Sequence, residues 1–345
     1  MRVAASAPGK LVLLGEYAVL EGAPALVMAV NRRARVVLGD GVEGEYRLRA
    51  TSIGIGLARC RLDARGELDW LDTDPAVAAR LGVVAAVLGA LAAERDAPPG
   101  FCAELDTDTF FAGSDGSNKR AKIGLGSSAA LTVALAGAIC AGLERDPPAL
   151  EALVGAHRRL QQGRGSGLDI AASLTGGMLA YRLTAGEPTL EQAQWPAALG
   201  SCCVWTGKSA STADFLGRVA AWRVRAPRDH ARLMGQLGAC AATGVAATSA
   251  GDVQGLLDTV AEYARLLGEL GAASGTDIVS AEHAKLATLA ERCGVAYKPC
   301  GAGGGDIGIA LAGDADRLRD FRRDIEAAGF QPLDLGLDAV GLRVH

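Results

Sequence analysis

The sequence lacks the marks of several protein classes. Its eight cysteines (Cys60, Cys102, Cys140, Cys202, Cys203, Cys240, Cys293 and Cys300) form no C-x-x-C pair, and there are only four histidines, which argues against a zinc centre. Scattered cysteines in a chain of this size read as buried free thiols of a reducing compartment, so a cytoplasmic location is expected. An excess of positive charge is also missing. The net charge is −4, which gives no support to binding of nucleic acid or an acidic membrane. Lysines are few, so an anionic substrate has to be met by local cations. No long apolar run follows Met1, so no secretory signal is expected. There are no repeats and no low-complexity tail. Residues 123–143 are uncharged and just long enough to span a bilayer, but glycine and serine crowd one end and no other segment looks membranous. Gly207-Lys208-Ser209 imitates a Walker A loop, yet the glycine required five residues before Gly207 is Cys202, so the pattern fails.

What is present is a chain of 345 residues, 50% apolar and 21% charged, enough for one large or two medium globular domains with ample core. Residues 2–7 read as a strand stopped by Pro8-Gly9, with a second apolar run over 11–14. Further strands are expected over 25–30 and 34–38, on either side of Asn31-Arg32-Arg33. Residues 40–74 read as sheet, 75–94 as one helix and 101–106 as a strand. A polar hairpin or loop follows. Leu150, Leu153, Val154, His157 and Leu160 repeat at helical spacing. A short helix begins at Leu168, and 178–183 is a strand. Residues 184–200 show little periodicity and are the expected domain boundary, dividing 1–185 from 186–345. Beyond it a strand over 201–205, helices near 212–223, 228–249, 252–270, 280–293 and 314–328, and strands over 307–311, 330–335 and 339–344 predict an α+β sandwich.

The densest chemistry lies in Lys122-Ile123-Gly124-Leu125-Gly126-Ser127-Ser128-Ala129-Ala130. Two glycines, two hydroxyls and a lysine precede an apolar, alanine-rich segment. Such a loop turns backbone N–H groups inward at a helix N-terminus, where Ser127 or Ser128 can cap the helix and a phosphate is favoured. An ordinary buried helix with a glycine-rich entrance is the plain alternative. A dinucleotide fingerprint (Gly124, Gly126, Ala129) requires a preceding strand, and Asp115-Gly116-Ser117-Asn118-Lys119-Arg120 is a polar turn instead. Polar residues also sit beside glycine at 10–17, 163–172, 207–212 and 301–306, which implies backbone approaching one ligand from several sides.

Taken together, these segments resemble the GHMP small-molecule kinase family. Ala7-Pro8-Gly9-Lys10 is similar to its opening motif, Lys122 to Ala130 to its ATP-phosphate loop, and Cys300-Gly301-Ala302-Gly303-Gly304-Gly305-Asp306 to its C-terminal glycine motif. All three stand in the family's order. Leu14 to Leu20, Gly165 to Ser173 and Trp205 to Thr212 resemble the branch that acts on phosphorylated mevalonate. The resemblance implies a two-domain fold, with an N-terminal domain like ribosomal protein S5 domain 2 and a C-terminal ferredoxin-like α/β sandwich carrying a helical insert. It implies ATP and magnesium as cofactors and transfer of the γ-phosphoryl group to the phosphate of 5-phosphomevalonate, in a monomer or homodimer. Mevalonate or another small acceptor, and a non-catalytic ligand-binding member, are the alternatives.

Roles follow from the same resemblance. Lys10 bridges the attacking oxygen and the transferring group. Asp169 orients Lys10 or the nucleophile, or acts as base. Lys122, Gly124, Leu125, Gly126, Ser127, Ser128 and Ala129 bind ATP, and Ser128 ligates magnesium. Glu16, Tyr17, Ser166, Lys208, Ser211, Thr212, Gly303 and Gly304 bind the acceptor. The helix from which related kinases draw a metal-binding glutamate reads His157-Arg158-Arg159-Leu160-Gln161-Gln162 and has no acid, so a second protein ligand for the metal is missing. The positive charge of Arg158, Arg159 and Arg164 is expected to favour a phosphorylated acceptor. Its phosphate has a second pKa near 6, so a strong base is less needed. The harder task is to unite two polyanions, since like unit charges about 4 Å apart repel by roughly 4 kcal/mol at an effective dielectric near 20.

Overall fold

In a computed structural model of the protein, all residues are described except 1, 64, 95–96, 114–119, 162 and 164. The chain opens with a long hairpin, β1 (Val3–Leu14) and β2 (Ala25–Asp40), both buried on two faces for much of their length. The expected stop at Pro8-Gly9 does not occur. The strand passes through it on an irregularity in register, with Pro8 opposite Arg33 and Gly9 opposite Val30. The extra residues on β2, Asn31 and Arg32, form the bulge. A bulge is where a strand tolerates a proline that cannot donate a ladder bond. The break expected at Asn31-Arg32-Arg33 is bridged by the same device.

β3 (Tyr46–Ala50), β4 (Ile55–Leu62) and β5 (Leu68–Leu71) extend the sheet. The helix expected over 75–94 is two, α1 (Pro75–Arg80) and α2 (Gly82–Glu94), parted at Leu81, with Asp74 capping the first through Ala76 N–H. β6 (Phe101–Asp106) pairs antiparallel with β2 and parallel with β3. The small hairpin β7 (Phe111–Gly113) and β8 (Arg120–Lys122) then delivers the glycine-rich loop; the polar turn from Asp115 to Lys119 lies outside the described residues.

The uncharged run becomes α3 (Ser127–Gly142), buried along most of its length against β1, β2 and α2. That burial on all sides explains why it carries no charge. Among the described residues no helix is long and apolar enough to cross a membrane. α4 (Leu150–Leu160) and α5 (Leu168–Thr175) close the same face.

β9 (Met178–Thr184) and β10 (Glu187–Ala193) form a hairpin that ends the first sheet, in the order β10-β9-β2-β6-β3-β4-β5 with β1 beside β2. The division expected at residue 186 therefore falls inside a hairpin, and the first sheet keeps its hold on the chain until Ala193. β10 alternates between half-buried and exposed residues, an edge strand with one solvated face. That is why its periodicity was too weak to read.

The second sheet has the order β12-β13-β11-β14, built from β11 (Gly200–Trp205), β12 (Ala296–Pro299), β13 (Ile307–Ala312) and β14 (Gln331–Leu333). Four helices intervene after β11: α6 (Thr212–Arg225), α7 (Pro227–Ala250), α8 (Val253–Ser274) and α9 (Ala281–Cys293). α10 (Ala315–Ala327) joins β13 to β14. The last strand, β15 (Arg343–Val344), leaves this sheet and pairs with β1. Arg33 holds the returning tail, donating to Asp338 Oδ2 at 2.6 Å and to the carbonyls of Val340 and Gly341. One continuous apolar core, from Leu11, Leu13 and Met28 through Leu237 and Tyr263 to Ile307 and Ile309, joins the two sheets. A cleft opens at its edge.

Candidate active site

The cleft has a volume of about 460 Å³ and is walled by segments from both sheets. Lys10 enters from β1 at the bulge. Its backbone N–H donates to Leu125 O at 2.9 Å, which ties the strand to the glycine-rich loop. Its Nζ lies 3.4 Å from Gly124 O. Gly126 stands at φ 75°, and a Cβ there would come within 3.2 Å of Lys10 Cγ and Cε. The glycine thus serves both the left-handed turn and the close passage of the lysine stem. Neither serine caps α3; Gly126 is the N-cap residue, with no side-chain bond. The loop turns left-handed at Gly124 and again at Gly126, so the first N–H groups of α3 stay open toward the cleft, as an anion requires.

Ser128 Oγ lies 3.0 Å from His157 Nε2, and His157 Nδ1 lies 3.9 Å from Asp169 Oδ1. The imidazole is buried on α4 between the phosphate loop and the start of α5. Asp169, in the first turn of α5, accepts from Ile170 N–H at 3.1 Å and faces the cleft. His157 occupies the helix on which related kinases are expected to carry a metal-binding glutamate. The sequence held a signal for it: a polar residue in the apolar stripe of α4.

Glu16 and Tyr17 follow β1. Both line the cleft, but both are mostly buried. Glu16 Oε1 accepts from Lys298 Nζ at 2.5 Å and Gly301 N–H at 3.3 Å, while Oε2 is buried without a partner among the described residues. Lys298 is fully buried, with its ammonium 5.8 Å from the Tyr263 ring centroid, and Tyr263 donates to Glu16 O at 2.8 Å. Lys298 in β12 escaped sequence reading because a lysine in a short strand carries no sign of burial. Tyr17, at φ 63°, donates to Ala302 O at 2.6 Å, and burial pushes its phenol well above the usual range. Together these bonds pin the opening motif to the C-terminal glycine motif.

Of the expected ATP residues, Lys122, Gly124, Leu125, Gly126, Ser127 and Ser128 line the cleft. Ala129 does not; it is buried in the first turn of α3. Of the expected acceptor residues, Glu16, Tyr17, Ser166 and Thr212 line it. Ser166 accepts from Leu168 N–H at 3.4 Å, and its carbonyl takes the Tyr181 hydroxyl. Lys208 does not line the cleft, because its ammonium is paired with Glu282. Ser211 caps α6 through Asp214 N–H. Gly303 and Gly304 face the other way. Added Cβ atoms would strike Ile278 O at 2.4 Å and Phe215 Cζ at 2.3 Å, so these glycines serve packing, and Gly301, Ala302 and Asp306 meet the cleft instead.

The arginines expected to attract a second phosphate are otherwise engaged. Arg158 donates to Gly165 O at 2.9 Å and Arg159 to Ala86 O at 3.2 Å, which holds backbone in place; Arg164 lies outside the described residues. Among the described residues, Lys10 and Lys122 are the cations lining the cleft. A glycine-rich helix entrance, a lysine across it and a carboxylate linked to a serine through a histidine suit the transfer of a phosphoryl group.

Comparison with known proteins gives the chain its relatives. Residues 83–177 match the model of the GHMP kinases N-terminal domain. The phosphomevalonate kinase of Streptomyces sp. (strain CL190) is 32% identical, over 95% of this chain and 95% of that protein. The mevalonate kinase of Thermococcus sibiricus is also 32% identical, over 64% of this chain and 62% of that protein. The structure of Streptococcus pneumoniae phosphomevalonate kinase in complex with phosphomevalonate and AMPPNP superposes with a TM-score of 0.76 at 19% identity. It covers 97% of this chain and 99% of that one. At that identity the superposition establishes the two-domain architecture, while the likeness along nearly the whole sequence establishes descent: the chain belongs to the GHMP kinase family.

Proposed function

We propose that the protein transfers the γ-phosphoryl group of ATP to the terminal phosphate of 5-phosphomevalonate, giving 5-diphosphomevalonate and ADP. The observation that carries this reading is the convergence of Lys10, the Gly124–Ser128 loop and Asp169 on one cleft, in a chain similar throughout to a phosphomevalonate kinase. In the reaction an acceptor phosphate oxygen bonds to the γ-phosphorus as the bond to the β,γ-bridging oxygen breaks, and ADP leaves with that oxygen. The nucleophile is already largely deprotonated at neutral pH, so positioning and charge stabilisation carry the catalysis.

The open N–H groups at the start of α3 bind the nucleotide phosphates. Lys10, whose stem is fixed by Gly126, places its ammonium beside the loop to stabilise charge on the transferring group. Asp169 orients the acceptor oxygen and the ammonium of Lys10. Thr212 and Ser166 shape the acceptor end. Lys208 reaches an acceptor phosphate only by leaving Glu282.

The residues present fit a magnesium ion. Ser128 and Asp169 offer hard oxygen donors on one side of the cleft, with the hydroxyl of Ser128 oriented by His157. Such an ion keeps much of its shell as water and nucleotide oxygen. Ser128 and Asp169 would hold it, and it would supply positive charge to offset that of the nucleotide phosphates.

Mevalonate is the second reading. It is favoured by the scarcity of cations lining the cleft among the described residues, since a phosphorylated acceptor brings more charge than Lys10 and Lys122 alone neutralise. A coupled ADP-release assay with mevalonate, 5-phosphomevalonate, galactose and homoserine tests both. Turnover that is fastest with 5-phosphomevalonate is expected; turnover with mevalonate but not with its phosphate overturns the first reading.

A further inference from the structure

Asp306 stands where a glycine would cost less. It ends the run Gly303-Gly304-Gly305-Asp306 and has φ 56°, the left-handed region that glycine enters freely and other residues enter under strain. Its carboxyl is largely withdrawn from solvent, which pushes its pKa above the usual carboxylate range, and it makes none of the ion pairs seen among the described residues. Strain and a half-buried acid at one cleft residue are kept when the local geometry serves function.

That geometry joins the two halves of the cleft. Oδ1 accepts from Ala210 N–H at 3.4 Å. The backbone N–H of Asp306 donates to Lys208 O at 2.7 Å, and its carbonyl takes Thr206 N–H at 3.0 Å. All three partners belong to the segment that carries Thr212 to the acceptor end. On its other side the carboxyl is seated on the phosphate loop: a Cβ on Gly124 would lie 2.5 Å from Asp306 Cβ and Cγ. Lys10 reaches the same glycine from across the loop, through Gly124 O.

We infer that Asp306 is a positioning residue, whose carboxyl registers the Ser209–Ala210 segment against Gly124 and so holds the acceptor in line with the phosphate loop. The inference rests on the kinase reading above. It is tested with whichever of mevalonate, 5-phosphomevalonate, galactose and homoserine the wild-type protein turns over fastest, so the loss of that reading and the loss of this one are seen separately.

Asp306→Gly removes the carboxyl and relieves the backbone. It should raise Tm, raise the acceptor KM at least about 10-fold and leave the ATP KM within about 2-fold, because the misplacement falls on one substrate. Asp306→Asn tolerates the left-handed backbone and keeps an oxygen for Ala210 N–H, so its acceptor KM should stay within about 3-fold of wild type. A glycine variant with unchanged acceptor KM overturns the inference, as does one whose ATP KM rises in step. A glycine variant that fails to fold also overturns it, since relief of strain is part of the claim.

Discussion

His157 on α4 places Nε2 3.0 Å from Ser128 Oγ and Nδ1 3.9 Å from Asp169 Oδ1, so one buried imidazole spans the phosphate loop and the carboxylate of the candidate site. With its proton on Nδ1, Nε2 accepts the Ser128 O–H and turns the serine lone pairs toward the cleft. Replacement by alanine leaves the hydroxyl free to rotate. A hydrogen bond between neutral groups is worth about 0.5–1.5 kcal/mol net, so His157→Ala should lower kcat by about 2- to 10-fold. His157→Gln, which keeps an acceptor, should lose less. Steady-state kinetics on both variants, with circular dichroism to verify folding, checks this.

The pair of Glu16 and Lys298 predicts a different kind of loss. Both side chains are withdrawn from water, at 3% and 0% exposure. Removing one partner leaves the other charged and buried, at a cost of about 3–5 kcal/mol. Lys298→Met should therefore be much less stable than wild type in denaturant unfolding. The double variant Glu16→Leu/Lys298→Met should recover most of the loss, because no charge is then stranded.

Gly124 and Gly126 are not equivalent in what they pack against. A methyl at Gly126 meets the flexible stem of Lys10 at 3.2 Å, whereas one at Gly124 meets Asp306 at 2.5 Å. Both residues hold positive φ, so both alanine variants bear about 1 kcal/mol or more of backbone strain. Gly124→Ala must also force the two sides of the cleft apart. It should show the lower Tm and the greater loss of kcat/KM of the two.

His283 gives a pH dependence whose sign follows from its bonds. Gly305 O can only accept, so Nε2 carries the proton and donates to it at 2.9 Å, while Nδ1 accepts from Tyr297 O–H at 2.8 Å. Burial holds the imidazole below its ordinary pKa of 6.5. As pH falls below that value the unfolded chain gains a proton that the folded chain still refuses. Stability should therefore drop from pH 6.5 downward and level off once the folded pKa is passed. Chemical denaturation across that window, with His283→Gln as the flat comparison, checks the slope.

Much of the fold was legible because its elements obey simple periods. α3 through α10 fall near where apolar spacing put them, and the glycine-rich loop does open on a cleft. What was not legible is pairing across distance. Nothing local in β10 says that Glu187–Ala193 completes the first sheet, or in the tail that Arg343–Val344 returns to β1. At the site, motif residues were found but not their orientation. Lys208 turns to Glu282, Gly303 and Gly304 turn to Phe215 and Ile278, and Arg158 holds Gly165. The residues missed, His157 in the apolar stripe of α4 and Lys298 in the short β12, take their meaning from partners 29 and 282 positions away.

The central claim is that a phosphate, and not an alcohol, receives the phosphoryl group. ³¹P NMR of the product formed from ATP and 5-phosphomevalonate tests it most directly. The account predicts that the acceptor's single phosphate resonance is replaced by the two coupled doublets of a diphosphate ester, and that Lys10→Met abolishes the change while leaving nucleotide binding intact. An unchanged phosphate resonance, together with a new phosphate monoester when mevalonate is supplied instead, would contradict it.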